Sequence, residues 1–252
     1  MRFKFNKDIE YFLKNFFLSE KYLLKKRLLR AIKNNYEDEI SLLHELVNNE
    51  TESIDIGVYR GVYSYKLSKL SKHVHSFEPN PLIYPYLEKN LKKIIKNMSL
   101  YNLALSDKEI ETNLKIPIRS KVINKNNYEE KFKLGCATIH NNNKLMDDKY
   151  TNYKVKTKKL DNVLINKNIG FIKIDVEGHE KNVIIGAENI IKKNKPNLLI
   201  EIEEKHTKEK VEDVINFIND FGYKSYYCEN NNIISTSKLK NLNKKNNFIF
   251  IP

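Results

Sequence analysis

Residues 53–69, SIDIGVYRGVYSYKLSK, admit few folds. Ile54 and Ile56 mark a short buried strand, Gly57 and Gly61 a turn, and the residues after Gly61 a helix. A strand that runs through a glycine-bearing turn into a helix N-terminus is how α/β proteins receive nucleotides, because helix amides and bare backbone approach the ligand together. Asp55, Gly57 and Gly61 form the pattern D-x-G-x-x-x-G, with Tyr59 inside the turn. A Cβ at 57 or 61 would stand where a ligand must lie. HVHSF, residues 73–77, reads as the next strand and ends at Glu78, 21 residues after Gly57. A carboxylate that takes ribose hydroxyls is expected at about 20 residues.

The strand–helix rhythm continues. Helices are expected over 61–72 and 81–96, the second opened by Pro81, which suits a first helical turn. MSLYNLAL (98–105) is a third strand. Residues 108–160 break the rhythm: TNLKIPI, GCATIH and YKVKTKKL read as short strands among Asn-rich loops, a β-rich insertion able to serve as lid or substrate wall. GFIKID (170–175) is then a strand, EKNVIIGAENIIKKN a helix, NLLIEIEE (197–204) a strand, and KEKVEDVINFINDF a helix stopped by Gly222. KSYYC (224–228) and NNFIFI (246–251) read as two closing strands that can pair as an antiparallel edge. Such alternation implies an α/β fold, a mostly parallel sheet with helices on both faces, over residues 51–252.

Residues 1–50 read as a helical N-terminal extension. Phe12, Phe16, Leu23, Leu24, Leu28 and Leu29 recur at helical spacing among lysines and arginines, and EDEISLLHELVNN is a second helix with His44 on its surface. The extension fits a cover on the main domain, a homodimer contact, or a basic amphipathic helix making peripheral contact with a membrane. The formal net charge of +13 invites a nucleic-acid partner. The lysines, however, are scattered among asparagines, as in KKIIKN and NLNKKNN, and read as solvated surface; no nucleic-acid partner is expected. Cys136 and Cys228 match no metal or redox spacing and read as free thiols of a reducing compartment. With no signal pattern and no apolar run of spanning length, a soluble cytoplasmic protein is expected.

In an open α/β sheet, ligands sit beyond the carboxyl ends of the strands. The residues delivered to that rim are Asp55, Gly57, Glu78, Ser106, Asp107, Asp175, Glu177, His179, Glu201 and Glu203. FIKIDVEGHE is the densest cluster, with Asp175, Glu177 and His179 directly after an apolar strand. Asp175 could instead cap a helix or pair with Lys173, and Glu177 and His179 could be plain turn residues. Convergence of carboxylates and an imidazole opposite Gly57 favours function.

DIGVYRGVYS, FEPNP, NLALSD, KLDNVL, FIKIDVEGHE and LLIEIE, in this order over roughly residues 50–205, resemble the FkbM-type family of S-adenosylmethionine-dependent methyltransferases. The resemblance implies a class I methyltransferase (Rossmann-like) fold and O-methylation of a hydroxyl on a sugar, whether a nucleotide-linked sugar or a surface polysaccharide or glycolipid. It implies that Asp55, Gly57, Tyr59 and Gly61 shape the methionine and ribose pocket. Glu78 would take the ribose hydroxyls with Asn80 beside it, Ala104 and Ser106 would line the adenine, and Asp175 and Glu177 would face the sulfonium and the acceptor.

Methyl transfer to an aliphatic hydroxyl needs in-line positioning and a base. His179 suits the base role by intrinsic pKa, Asp175 and Glu177 by position. A divalent metal, Mg or Mn, could acidify the hydroxyl instead, and Asp175, Glu201 and Glu203 offer the oxygen ligands it would want. Other readings differ in motif. An NAD-dependent oxidoreductase would carry G-x-G-x-x-G, and a nucleic-acid N-methyltransferase would show N-P-P-[YF] where IDVEG stands. A non-catalytic nucleotide-binding protein would keep the pocket and lack the chemistry.

Overall fold

Ile54 and Ile56 are buried on one face of their strand, and Ser53 and Asp55 on the other. A strand buried on both faces belongs inside a parallel sheet covered by helices. The computed structural model describes residues 19–34, 37–119, 131–140 and 149–252. In it β1 (Glu52–Ile56) lies between β2 (His73–Phe77) and β7 (Ile169–Ile174), parallel to both. β3 (Met98–Tyr101) continues the sheet beyond β2, and β8 (Asn197–Glu201) continues it beyond β7, again parallel. β11 (Asn247–Ile251) then runs antiparallel to β8, β9 (Lys224–Glu229) antiparallel to β11, and β10 (Asn232–Ser235) forms the edge. The chain builds β1, β2 and β3 outward and returns to the other side of β1 with β7. That reversal opens a crevice between the C-terminal ends of β1 and β7, where open α/β sheets bind ligands.

On one face Ile54, Ile172, Ile174 and Ile200 pack with α5 (Leu160–Val163), α6 (Glu180–Gly186), α7 (Glu188–Asn194) and α9 (Val211–Asn219). On the other, Val74, Phe171, Leu199 and Ile249 meet α1 (Glu20–Lys33), α2 (Glu39–Leu46), α3 (Val62–Leu67) and α4 (Tyr84–Ile94). α1 and α2 bury Leu24, Leu28, Ile40 and Leu43 in that second core; Phe12 and Phe16 lie outside the described residues. A second sheet, ordered β4-β6-β5, is made by β4 (Ala104–Leu105), β5 (Glu111–Pro117) and β6 (Tyr150–Lys158) around Leu114, Ile116, Phe132 and Val155. Residues 134–139 run beside it, joined through the Lys115–Thr138 bridge. The remainder of the expected insertion, 120–130 and 141–148, lies outside the described residues.

Several boundaries differ from those the sequence suggests, each for a local reason. The strand expected over 98–105 is two: after Tyr101 the Asn102 side chain donates to the Glu78 carbonyl at 2.9 Å, and β4 joins the other sheet. The helix expected over 61–72 ends at Leu67, where the Ser68 and Ser71 hydroxyls take the Tyr65 and Leu67 carbonyls. The next helix begins at Tyr84 with Pro85, not Pro81, in its first turn, because the Asn80 side chain holds the Leu82 amide in a turn. The helix after IDVEGHE breaks into α6 and α7 at Ala187. β8 stops at Glu201, and the short α8 (Glu204–Thr207) follows. β9 and β11 do pair antiparallel, but β11 lies inside the sheet. The edge belongs to β10, turned by Asn230 and Asn231 at φ 51° and 59°, the left-handed pair of a two-residue hairpin.

Candidate functional site

The site begins at the ends of β1, β2 and β7. Gly57 (φ 89°) leaves β1 so close to β7 that a Cβ would stand 1.8 Å from the Asp175 carbonyl oxygen. Two residues on, Tyr59 adopts the left-handed region at φ 47°, a costly conformation held only where the surroundings demand it. Here the demand is visible: the Tyr59 amide donates to Glu78 Oε2 at 2.8 Å, and the Asn80 amide donates to Oε1 at 2.9 Å. Glu78 is thus clamped at the mouth of β2 by two backbone donors. Burial pushes its carboxyl up to about 7, against the lowering effect of those amides. Each oxygen keeps a further acceptor position, and the side chain lines the cleft.

The cleft spans about 660 Å³ with its open mouth included. Phe77, Leu103, Ala104 and Leu105 make one apolar stretch of its wall, and Leu134, Gly135, Ala137 and Thr138 from beside β5 make another. Gly57, Asp175 and Glu177 line it too.

Behind Asp175 stands Lys173, 1% exposed, its Nζ 3.8 Å from Asp175 Oδ2, 3.3 Å from Asn247 Oδ1 and 5.2 Å above the Tyr63 ring. The pairing of Asp175 with Lys173 therefore coexists with a place at the cleft. Glu201 shares a hydrogen bond with Asp175, and burial together with the Asp175 charge raises its pKa far above the usual carboxylate range. The buried Lys173 ammonium and the raised Glu201 carboxyl thus flank Asp175.

Glu177 is the second residue of the cleft in the left-handed region, at φ 56°. Its carbonyl accepts from Thr138 Oγ1 at 2.8 Å, and its Oε2 lies 2.9 Å from Nε2 of His206 on α8. Burial raises the Glu177 carboxyl although His206 lowers it. Burial would lower the His206 pKa, but the bond and charge of Glu177 outweigh it and hold it raised.

His179 takes a different place. Its Nε2 is 2.9 Å from the Ser106 hydroxyl, which donates to Asp107 Oδ1 at 3.0 Å. Ser106 directly follows Leu105, so His179 belongs to the Ala104–Leu105 wall. Burial lowers its pKa to about 4, leaving a neutral imidazole at pH 7.

Of the residues singled out in the sequence, Gly57, Tyr59, Glu78, Ala104, Asp175, Glu177 and His179 meet at the cleft. Four others stand behind its surface. Asp55 accepts from Ser64 Oγ at 2.5 Å, and burial raises its carboxyl to about 6. Gly61 faces Leu91. The Asn80 side chain reaches the Leu82 amide and the Leu134 carbonyl, and Ser106 is held by Asp107 and His179. Nor do Asp175, Glu201 and Glu203 form an oxygen set for a metal: Glu203 engages Lys205, His206 and Asn246. No cluster of three or more His, Cys, Asp or Glu suited to a metal occurs among the described residues. His206 and Thr138 were not foreseen; His206 stands 29 positions from Glu177, and no spacing rule links them.

This architecture is similar to the solved structure of methyltransferase FkbM from Methylobacillus flagellatus KT, at 16% identity and a TM-score of 0.51, over 92% of this chain and 58% of that one. It is also similar to an rRNA methylase from Streptococcus thermophilus (12% identity, TM-score 0.43, 84% of this chain, 91% of that one). A third structure is precorrin-6y C5,15-methyltransferase from Geobacter metallireducens GS-15 (14%, 0.43, 85% and 85%). At these identities the likeness bears on the fold alone, and this chain spans only 58% of the length of the first structure. A comparison with curated proteins finds no match. The fold is that of a class I methyltransferase. The model of the methyltransferase FkbM domain matches residues 55–225, more than half of the chain. The chain therefore belongs to the FkbM methyltransferase family, as its motifs implied.

That family implies S-adenosylmethionine as the methyl donor, and the residues present fit it. The cleft presents the buried, amide-clamped Glu78 carboxyl and the apolar Phe77, Leu103, Ala104 and Leu105, a donor set compatible with such a group. The missing Cβ atoms of Gly57 and Gly61 make room for the Asp175 carbonyl and the Leu91 side chain, not for a ligand as the sequence suggested.

Proposed function

We propose that this protein transfers a methyl group from S-adenosylmethionine to a hydroxyl of a sugar, carried on a nucleotide or on a surface polysaccharide or glycolipid. The observation that supports a hydroxyl acceptor is the Glu177–His206 pair at the cleft beside Asp175. An alcohol needs a base to become a competent nucleophile, and a buried carboxylate held by an imidazole is one. The sugar class follows the family resemblance.

When bound, S-adenosylmethionine supplies a methyl group on a sulfonium leaving group. Glu78 accepts the ribose hydroxyls through its clamped carboxylate, where charge assistance strengthens each bond. Phe77, Leu103 and Ala104 exclude water from the purine end. Asp175, neutralised from behind by Lys173, offers its oxygens to the cationic end of the donor. Glu177 takes the proton of the acceptor hydroxyl on its carboxylate, and His206 orients that carboxylate. Orientation of this kind supplies much of the rate in a displacement between two bound partners.

The test is incubation with labelled methyl donor and a panel of nucleotide sugars and surface glycans, read by mass spectrometry. On the acceptor found, Glu177→Gln lowers kcat at least ~10²-fold, the lower end for a lost base, and leaves S-adenosylhomocysteine affinity within about threefold, since Glu78 holds the ribose. Labelled RNA in place of labelled sugar would replace the acceptor class. Wild-type turnover in Glu177→Gln would remove the base.

A further inference from the structure

The cationic excess of this chain is not evenly spread. α1 and α4 lie side by side on the second face of the sheet. Glu20 joins them, contacting Lys89 Nζ at 2.9 Å and accepting from Asn90 at 3.2 Å. Together the two helices carry nine Lys and Arg, all exposed, against Glu20 and Glu88. More than half of the net charge of +13 therefore sits on this one surface, which the scattered lysines of the sequence conceal.

The outward side of α1 is not simply polar. Leu24 and Leu28 face the core, which turns Tyr22, Lys26, Leu29 and Lys33 outward at spacing i, i+4, i+7, i+11, a single stripe. Tyr22 and Leu29 are 52% and 49% exposed in the midst of the cations. We propose that this face docks on an anionic phospholipid surface. The cations meet lipid phosphates, and the Tyr22–Leu29 pair enters the boundary between headgroups and acyl chains, as in helices that lie in a bilayer interface. A nucleic-acid backbone would use the cations but give Leu29 nothing to contact. A second copy across a twofold axis would set these cations against their own equivalents. The proposal rests on this surface alone and stands whichever acceptor the cleft takes.

The experiment is flotation of the whole chain with vesicles of phosphatidylcholine alone or with about 30% phosphatidylserine, enough to give a negative surface potential. At least tenfold more protein should float with the anionic vesicles, and ~0.5 M salt should abolish the difference by screening. Lys26→Glu with Lys33→Glu should remove most binding. Tyr22→Ser with Leu29→Ser should lower it at least ~threefold at unchanged charge, because insertion of the apolar pair is lost. All four positions are exposed, so thermal melts should match the parent. Equal flotation with both vesicles, none with either, or full binding by the charge-reversed variant overturns the proposal. RNA binding that survives Tyr22→Ser with Leu29→Ser, in a protein that ignores vesicles, assigns the face to nucleic acid instead.

Discussion

Glu78 links donor affinity to pH in a direction that can be worked out from its surroundings. Free of ligand, its carboxyl is raised to about 7 by burial. Only the ionised form offers charge-assisted acceptance to two hydroxyls. At pH 6 about a tenth of the free protein carries that form and at pH 8 about nine-tenths, so affinity for S-adenosylhomocysteine should rise about tenfold between them. The stability of the free protein runs the other way. A carboxyl whose folded pKa lies above its unfolded value near 4.5 contributes stability that is complete below that value and is lost as pH rises through 7. Glu180, raised by burial to about 7, and Asp55, raised to about 6, act with the same sign. His179, lowered to about 4, opposes these carboxyls only up to its ordinary value of 6.5. The melting temperature of the free protein should therefore fall from pH 5 to pH 8, while the increment from saturating ligand grows. Glu78→Ala removes the acceptor. Hydrogen bonds to a charged group contribute about 1.5–3 kcal/mol, so Kd should weaken by about 10- to 150-fold at pH 8 and lose its pH slope. Titration calorimetry at pH 6, 7 and 8 reads all of this. A flat profile in the parent, or an unchanged slope in Glu78→Ala, would refute the assignment of Glu78 as the ribose acceptor.

Two further substitutions probe the frame around the cleft. Gly57→Ala places a Cβ 1.8 Å from the Asp175 carbonyl at φ 89°; the left-handed conformation alone costs about 1–3 kcal/mol, so both the melting temperature and ligand binding should drop, and an unaltered melt would contradict the close packing of β1 on β7. Lys173→Met removes the buried cation beside Asp175, so the melting temperature should fall. Asp55, raised by burial to about 6, loses the lowering effect of the Lys173 charge, so the loss should be larger at pH 8 than at pH 5, and equal destabilisation at both would show that Lys173 acts through packing rather than charge.

The sequence alone determined what depends on near neighbours. The strand–turn–helix at 53–69 is written in Ile54, Ile56, Gly57 and Gly61, because alternation and backbone sterics act over a few residues. Glu78 was legible because two adjacent parallel strands of ordinary length set its distance from Gly57. FIKIDVEGHE announced a rim cluster for the same reason. What a side chain faces once at the rim was decided by packing. Asp55 and Ser106 occupy strand ends as read, yet Ser64 and His179 draw them behind the cleft wall. Lys173 looks like one more lysine among many until its place on β7 buries it between Asp175 and Tyr63. His206 reaches Glu177 only because α8 follows β8 back over the end of β7, a contact across 29 residues that no periodicity encodes. The basic stripe of α1 likewise became a surface only when Leu24 and Leu28 were committed to the core and α4 was laid beside it. Local chemistry is repeated along the chain and can be read there, whereas burial and pairing depend on which distant segments share a face, and only the folded chain brings those together.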